Sequence, residues 1–167
     1  TKENIGAMLS GDLLNQLMSS SFMARDMHIP FLGMYGACST MTESLTLGSV
    51  LTDGKYSDNI IIGASSHYCT AERQFRMPLE HGNQRPPSAQ WTATAAGAML
   101  LSQTGDASLI EADSAGNMKN LNHVRVECGT VGKIIDAGIK DANQMGSAMA
   151  PAAVDTILNH LDDMDRT

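Results

Sequence analysis

An α/β fold is predicted for this chain, and three observations predict it. Short apolar runs near residues 7–14, 31–37 and 59–64 have the length and composition of buried strands. The stretches between them carry apolar residues at helical spacing. Glycine and proline mark the joints. Strand, helix, strand, helix, strand and then a hairpin implies a layered α/β arrangement built on right-handed crossovers.

The first strand is expected at Ala7-Met8-Leu9 and again at Leu13-Leu14, interrupted by Ser10-Gly11-Asp12. Leu14, Met18 and Phe22 recur every fourth residue, which predicts one buried face of a helix running to about Met27. Pro30 separates it from a second strand over Phe31 to Ala37. Thr40 with Glu43 three residues on has the capping-box pattern. A helix is therefore expected from about Met41 to Thr52, with Met41, Leu45, Leu47, Val50 and Leu51 turned inward, ending at Asp53-Gly54. Asn59 to Ala64 is the third strand.

Tyr68 to Thr92 is long, polar and without periodicity, as functional loops often are. Ala95 to Ser102 is strand-like and Ala107 to Ala112 suits a hairpin partner. Asp113 to Asn122 is polar and expected at the surface. Val124 to Ile135 is again strand-like, though broken by Gly129 and Gly132. Val154, Ile157, Leu158 and Leu161 predict a closing helix from about Pro151 to Leu161, with the proline in its first turn.

The 167 residues are enough for a domain with a real core, and 43% hydrophobic content argues against global disorder. A formal net charge of -7 argues against a general nucleic-acid binder. The three cysteines, Cys38, Cys69 and Cys128, are too sparse for a disulfide framework and suit a reducing compartment. No apolar run is long enough to span a bilayer, and no signal peptide is expected. The 12 methionines read as core filler.

Cys38 falls between a buried strand and a helix start, where unpaired N–H groups favour negative charge. A cysteine at such a turn is a sensible nucleophile, or simply a small apolar residue. Its candidate base is His67 in Ser65-Ser66-His67, because parallel strands deliver their C-terminal ends to one side of a sheet. His28 precedes a strand at the opposite edge and reads as structural, while His160 is expected on an exposed terminal helix; His81 and His123 are the remaining histidines. His67-x-Cys69 is too tight for a zinc site and no C-x2-C occurs, so no metal is expected. Phosphate-loop motifs are missing too. Gly33 and Gly36 read as sites of close backbone packing. Arg73, Arg76 and Arg85, with Glu72, lie in the 68–92 loop and could meet an anionic ligand if it folds over the strand ends.

Five separated segments occur in a characteristic order. They are Gly11-Asp12-Leu13-Leu14-Asn15-Gln16, Gly36-Ala37-Cys38-Ser39, Ser65-Ser66-His67, Thr70-Ala71-Glu72-Arg73-Gln74-Phe75-Arg76, and the run from Met145 to Ala153. In these the chain resembles the stage V sporulation protein AD family of endospore-forming bacteria, proteins of thiolase-like fold. The resemblance implies two similar halves with a mostly parallel five-stranded sheet in each. It gives residues 1–123 as the first half and 124–167 as the start of the second. The missing start methionine and the finish at Arg166-Thr167 then fit a piece of a longer protein.

The resemblance also implies binding rather than turnover. Family members serve the machinery that moves dipicolinic acid, with calcium, into the developing spore. By position, Cys38 takes the nucleophile slot, and Ser39, Ser66, His67, Thr70, Glu72 and Arg73 line the ligand site. No cofactor is implied. Other stage V sporulation A proteins would be partners, and a homodimer would form through the edge of strand 59–64. The location would be peripheral, on the cytoplasmic side of the spore inner membrane. The alternative is a thiolase or ketoacyl-synthase-like acyltransferase with Cys38 as nucleophile, although such enzymes draw their histidines from the second half of the fold.

Overall fold

The computed structural model describes residues 4–13, 17–67, 84, 85, 87, 91–103 and 124–165. They belong to two compact units, one from Thr1–Pro86 with Trp91–Val124 and one from Pro87–Gln90 with Arg125–Thr167.

The first unit is α/β. Strand β1 (Ala7–Asp12) is followed by helix α1 (Met18–Met27), β2 (Phe31–Gly33), helix α2 (Thr40–Asp53), β3 (Asn59–Ser65) and β4 (Ala96–Ser102). The sheet order is β2-β1-β3-β4. The first three strands are parallel and β4 runs antiparallel to β3. The expected five strands are thus four among the described residues. The Ala107 to Ala112 hairpin partner lies outside them.

β1 does not break at Ser10-Gly11-Asp12; it runs straight through that segment, buried between two neighbours. Gly11 makes this possible. A Cβ there would stand 2.2 Å from the Met34 carbonyl oxygen and 3.0 Å from Thr40 Cγ2. The chain leaving β2 therefore crosses directly over β1.

Alternate strand residues feed two cores. Met8 packs with Ala24 and Ile29, with Ile61 beside them, on the α1 side. Leu9, Ile60 and Ile62 pack with Met34, beside Met41, Leu45 and Leu51, on the α2 side. The helices therefore cover opposite faces of the sheet, as expected when one right-handed crossover steps from β1 to β2 and the next returns in the opposite direction from β2 past β1 to β3.

In both helices the most buried line is not the apolar one their spacing suggests, although Met41, Leu45 and Leu51 of α2 do pack against the core as expected. In α1 the buried residues are Ser20 and Ala24, while Met18 and Phe22 are 56% and 50% exposed. In α2 the buried line is Thr40, Ser44, Gly48 and Thr52. Leu47 and Val50 stand outward, and Met41, Leu45 and Leu51 flank the buried line. Small residues win the inner position because the helix lies close on the strands. A Cβ at Gly48 would come within 2.7 Å of Leu101 Cδ1 and 3.0 Å of Ile62 Cγ2.

α1 ends in a Schellman-type turn. His28 adopts a left-handed conformation (φ 56°), its N–H donates to the Arg25 carbonyl, and the Ile29 N–H donates to that of Ala24. This gives His28 the structural role expected of it.

In the second unit, residues 125–140 form no strand. Its regular element is helix α3 (Met145–Asp165), preceded by a 3-10 turn at Ala142–Gln144. The strand expected over Val124 to Ile135 is replaced by side-chain ties to α3. The Thr130 hydroxyl contacts His160 Nδ1 at 3.1 Å and donates to Asp163 Oδ2 at 2.9 Å. Lys133 pairs with Asp155 at 2.9 Å, and Cys128 Sγ donates to Met164 Sδ at 3.1 Å. β-branched residues favour a strand only beside a partner strand, and here the neighbour is a helix. α3 starts before Pro151, which sits inside the helix and removes one i→i−4 hydrogen bond.

Candidate functional site

The three parallel strands end on one side of the sheet, and the candidate residues gather there. Beyond β2, Gly36 leads into a 3-10 turn at Ala37–Ser39, which runs into α2. Ala37, immediately before Cys38, has φ 51°, a conformation that costs a residue with a Cβ about 1–2 kcal/mol. The turn is pinned by Ser39, whose N–H and Oγ both donate to the Gly36 carbonyl at 3.0 and 2.9 Å. Ser39, not Thr40, is the N-cap of α2, and its hydroxyl makes no capping bond. The capping box is therefore not formed.

Cys38 and Ser39 are both exposed. No described residue forms a hydrogen bond with the Cys38 thiol. Glu43 Oε2 lies 2.5 Å from where a Gly36 Cβ would be, so a side chain at 36 would displace it. This carboxylate occupies the first turn of α2, the end of the helix that favours negative charge.

Ser66 and His67 follow β3. The Ser66 N–H donates to the Ala95 carbonyl at 2.9 Å, which ties this end to the segment before β4. β2 and β3 are not neighbours, because β1 lies between them. Two strand spacings, about 9–10 Å, therefore separate the strand that leads to Cys38 from the one that leads to His67. The His67 ring is engaged elsewhere: its Nε2 contacts Ser19 Oγ on α1.

Between the two strand ends lies a group that the sequence reading did not single out. Asp12, at the end of β1, is 4% exposed. Its Oδ1 accepts from Ser20 Oγ at 2.9 Å and Ser65 Oγ at 2.6 Å, and its Oδ2 accepts from the Ser19 N–H at 3.1 Å. Ser20 Oγ also meets Ser10 Oγ at 3.2 Å. α1 begins at Leu17, a left-handed residue without a capping side chain. Asp12 supplies the missing cap from the neighbouring strand, where the helix end favours an anion. The usable signal was a lone carboxylate inside an apolar strand, followed by the serine run Ser19-Ser20-Ser21.

Thr70, Glu72 and Arg73 lie outside the described residues, as does Arg76. Arg85 is described, with its guanidinium carbon 4.0 Å from the Trp91 ring centroid, a cation–π contact. Among the described residues no group of three or more His, Cys, Asp or Glu side chains could hold a metal ion. No described helix is long and apolar enough to cross a membrane.

Residues 1–167 match the family profile of stage V sporulation protein AD. The chain belongs to that family. It is 45% identical over 168 residues to stage V sporulation protein AD of Bacillus subtilis (strain 168). That alignment covers 100% of this chain and 45% of the relative, so the chain spans less than half the length of the stage V sporulation protein AD it matches.

Proposed function

We propose that this member of the stage V sporulation protein AD family is a non-enzymatic, dipicolinic acid-binding subunit of the spore transport complex that takes up dipicolinate during sporulation. The observation that carries this reading is the state of the two reactive groups. Cys38 is exposed with no hydrogen bond to its thiol from the described residues, while the His67 ring is held by Ser19. A nucleophile needs its base within hydrogen-bond reach. A ligand site needs donors, and the strand ends offer hydroxyls, an imidazole and a helix N-terminus.

In this reading residues 1–123 are the first half of a thiolase-like fold and 124–167 begin the second. Cys38, Ser39, Ser66 and His67 line the site, and Thr70, Glu72 and Arg73 complete it from the adjoining loop. The calcium chelate suits the site better than the free dianion, because the cation offsets the Glu43 carboxylate beside Gly36. The partners are other stage V sporulation A proteins and a second copy of the chain. The place of action is the cytoplasmic side of the spore inner membrane, peripherally. The dimer edge must differ from the one the sequence suggested, because β3 is flanked by β1 and β4. Among the described strands the outer ones are β2 and β4.

Titration calorimetry of the full-length protein with dipicolinate, with and without calcium, tests the reading; binding that weakens in Cys38→Ala or His67→Gln is expected. No heat with the wild type refutes it. The exposed thiol at a helix start favours one rival, an acyltransferase using Cys38. Incubation with acyl-CoA followed by intact-mass measurement separates the two, since a stable adduct on Cys38 belongs to the enzyme alone.

A further inference from the structure

The contact between Ser19 Oγ and His67 Nε2 joins residues 48 positions apart on two different elements. We propose that Ser19 is the positioning residue for His67, fixing the orientation of the imidazole beyond the end of β3. The importance of that orientation for a ligand rests on the dipicolinate reading above.

Ser19 is equipped to hold another group because it is itself held. Its backbone lies in the first turn of α1, and its N–H is fixed on Asp12 Oδ2. Asp12 is in turn fixed by the hydroxyls of Ser20 and Ser65. A rigid path therefore runs from β1 through the α1 backbone to the Ser19 hydroxyl and then to the ring. His67 lies two residues beyond the end of β3, where the sheet no longer fixes side-chain direction.

A serine touching a histidine also suggests a nucleophile and its base. The charge pattern argues against that here. An attacking Ser19 would build an oxyanion close to its own amide, and that amide already faces the Asp12 carboxylate. Anion beside anion destabilises such a transition state. The hydroxyl serves the ring instead.

The test uses full-length protein labelled with 15N-histidine, with the His67 signals assigned by their loss in His67→Gln. Ser19→Ala and Ser19→Thr are compared with the wild type after circular dichroism shows both folded. Both keep the residue-19 amide on Asp12, and only the threonine keeps the hydroxyl. Matching His67 ring signals are expected in the wild type and in Ser19→Thr, and shifted ones in Ser19→Ala. Dipicolinate binding should weaken about tenfold in Ser19→Ala, the scale of losing one hydrogen bond near a charge, and recover in Ser19→Thr. Ring signals unchanged by Ser19→Ala overturn the proposal, and so does equal dipicolinate binding by wild type and Ser19→Ala. If the wild type binds no dipicolinate, the functional reading fails, and the ring-signal comparison alone decides the role of Ser19.

Discussion

Replacing Asp12 is the most demanding test of how the strand ends are held together. In Asp12→Ala three donors lose their acceptor: the Ser19 N–H, Ser20 Oγ and Ser65 Oγ. They are not equivalent. Ser20 is buried but still meets Ser10 Oγ, so its loss is partly absorbed. Ser65 is half-buried and can take water. The Ser19 N–H is a helix-terminal donor with no capping side chain at Leu17 to replace Asp12. Each donor left unsatisfied costs about 1–3 kcal/mol, with exposed ones near the low end. Removing a buried charge returns part of that by ending its desolvation. The balance is a loss of about 2–4 kcal/mol for Asp12→Ala. Asp12→Asn keeps one oxygen for the two serine hydroxyls but turns an NH2 toward the Ser19 N–H, so about 1–3 kcal/mol is expected. Urea unfolding of the folded chain, followed by circular dichroism, measures both. The reasoning is refuted if Asp12→Ala costs under about 1 kcal/mol at unchanged m-value, or if the asparagine variant is the less stable of the two.

Gly11→Ala should destabilise by about 1–3 kcal/mol, because its Cβ would lie 2.2 Å from the Met34 carbonyl oxygen and backbone must move to admit it. The same variant should change the rate at which Cys38 is alkylated, since the displaced segment leads to that turn. Glu43→Gln should tighten binding of calcium-free dipicolinate severalfold at low salt and less at high salt, by removing a like charge from the first turn of α2. Calorimetry at two ionic strengths checks it. Thr130→Val should remove the ties to His160 and Asp163, and speed amide exchange at the end of α3 severalfold. Exchange in β1 and β3 should stay as it was.

The apolar runs made the positions of β1 and β3 legible, because a buried strand must be apolar on both faces, and β4 was legible from its strand-like run although it is largely exposed. The turn holding Cys38 was legible for the same reason, lying where a strand had to give way to a helix. The helix faces were not. Apolar spacing identifies a helix, but which face turns inward depends on the distance to the sheet, and α1 sets Ser20 and Ala24 there instead of Met18 and Phe22. The partner of His67 was hidden by the strand order. The sequence puts the strands of Cys38 and His67 next to each other in the chain, whereas the sheet places β1 between them. The Asp12 cluster escaped because its bonds to Ser19, Ser20 and Ser65 join residues 7, 8 and 53 positions apart, on three elements.

The buried line Thr40, Ser44, Gly48 and Thr52 along α2 has a consequence for how this helix tolerates mutation. On an ordinary amphipathic helix, added apolar bulk is welcome on the inner side and polarity on the outer. Here volume, not hydropathy, governs the inner side. Gly48→Val should do more harm than Val50→Thr, although a hydropathy scale ranks them the other way, because Leu101 and Ile62 leave no room at position 48 while Val50 is 62% exposed. A saturation library over residues 40–53 should therefore select for small side chains every fourth residue, a repeat of size where a repeat of greasiness would be sought.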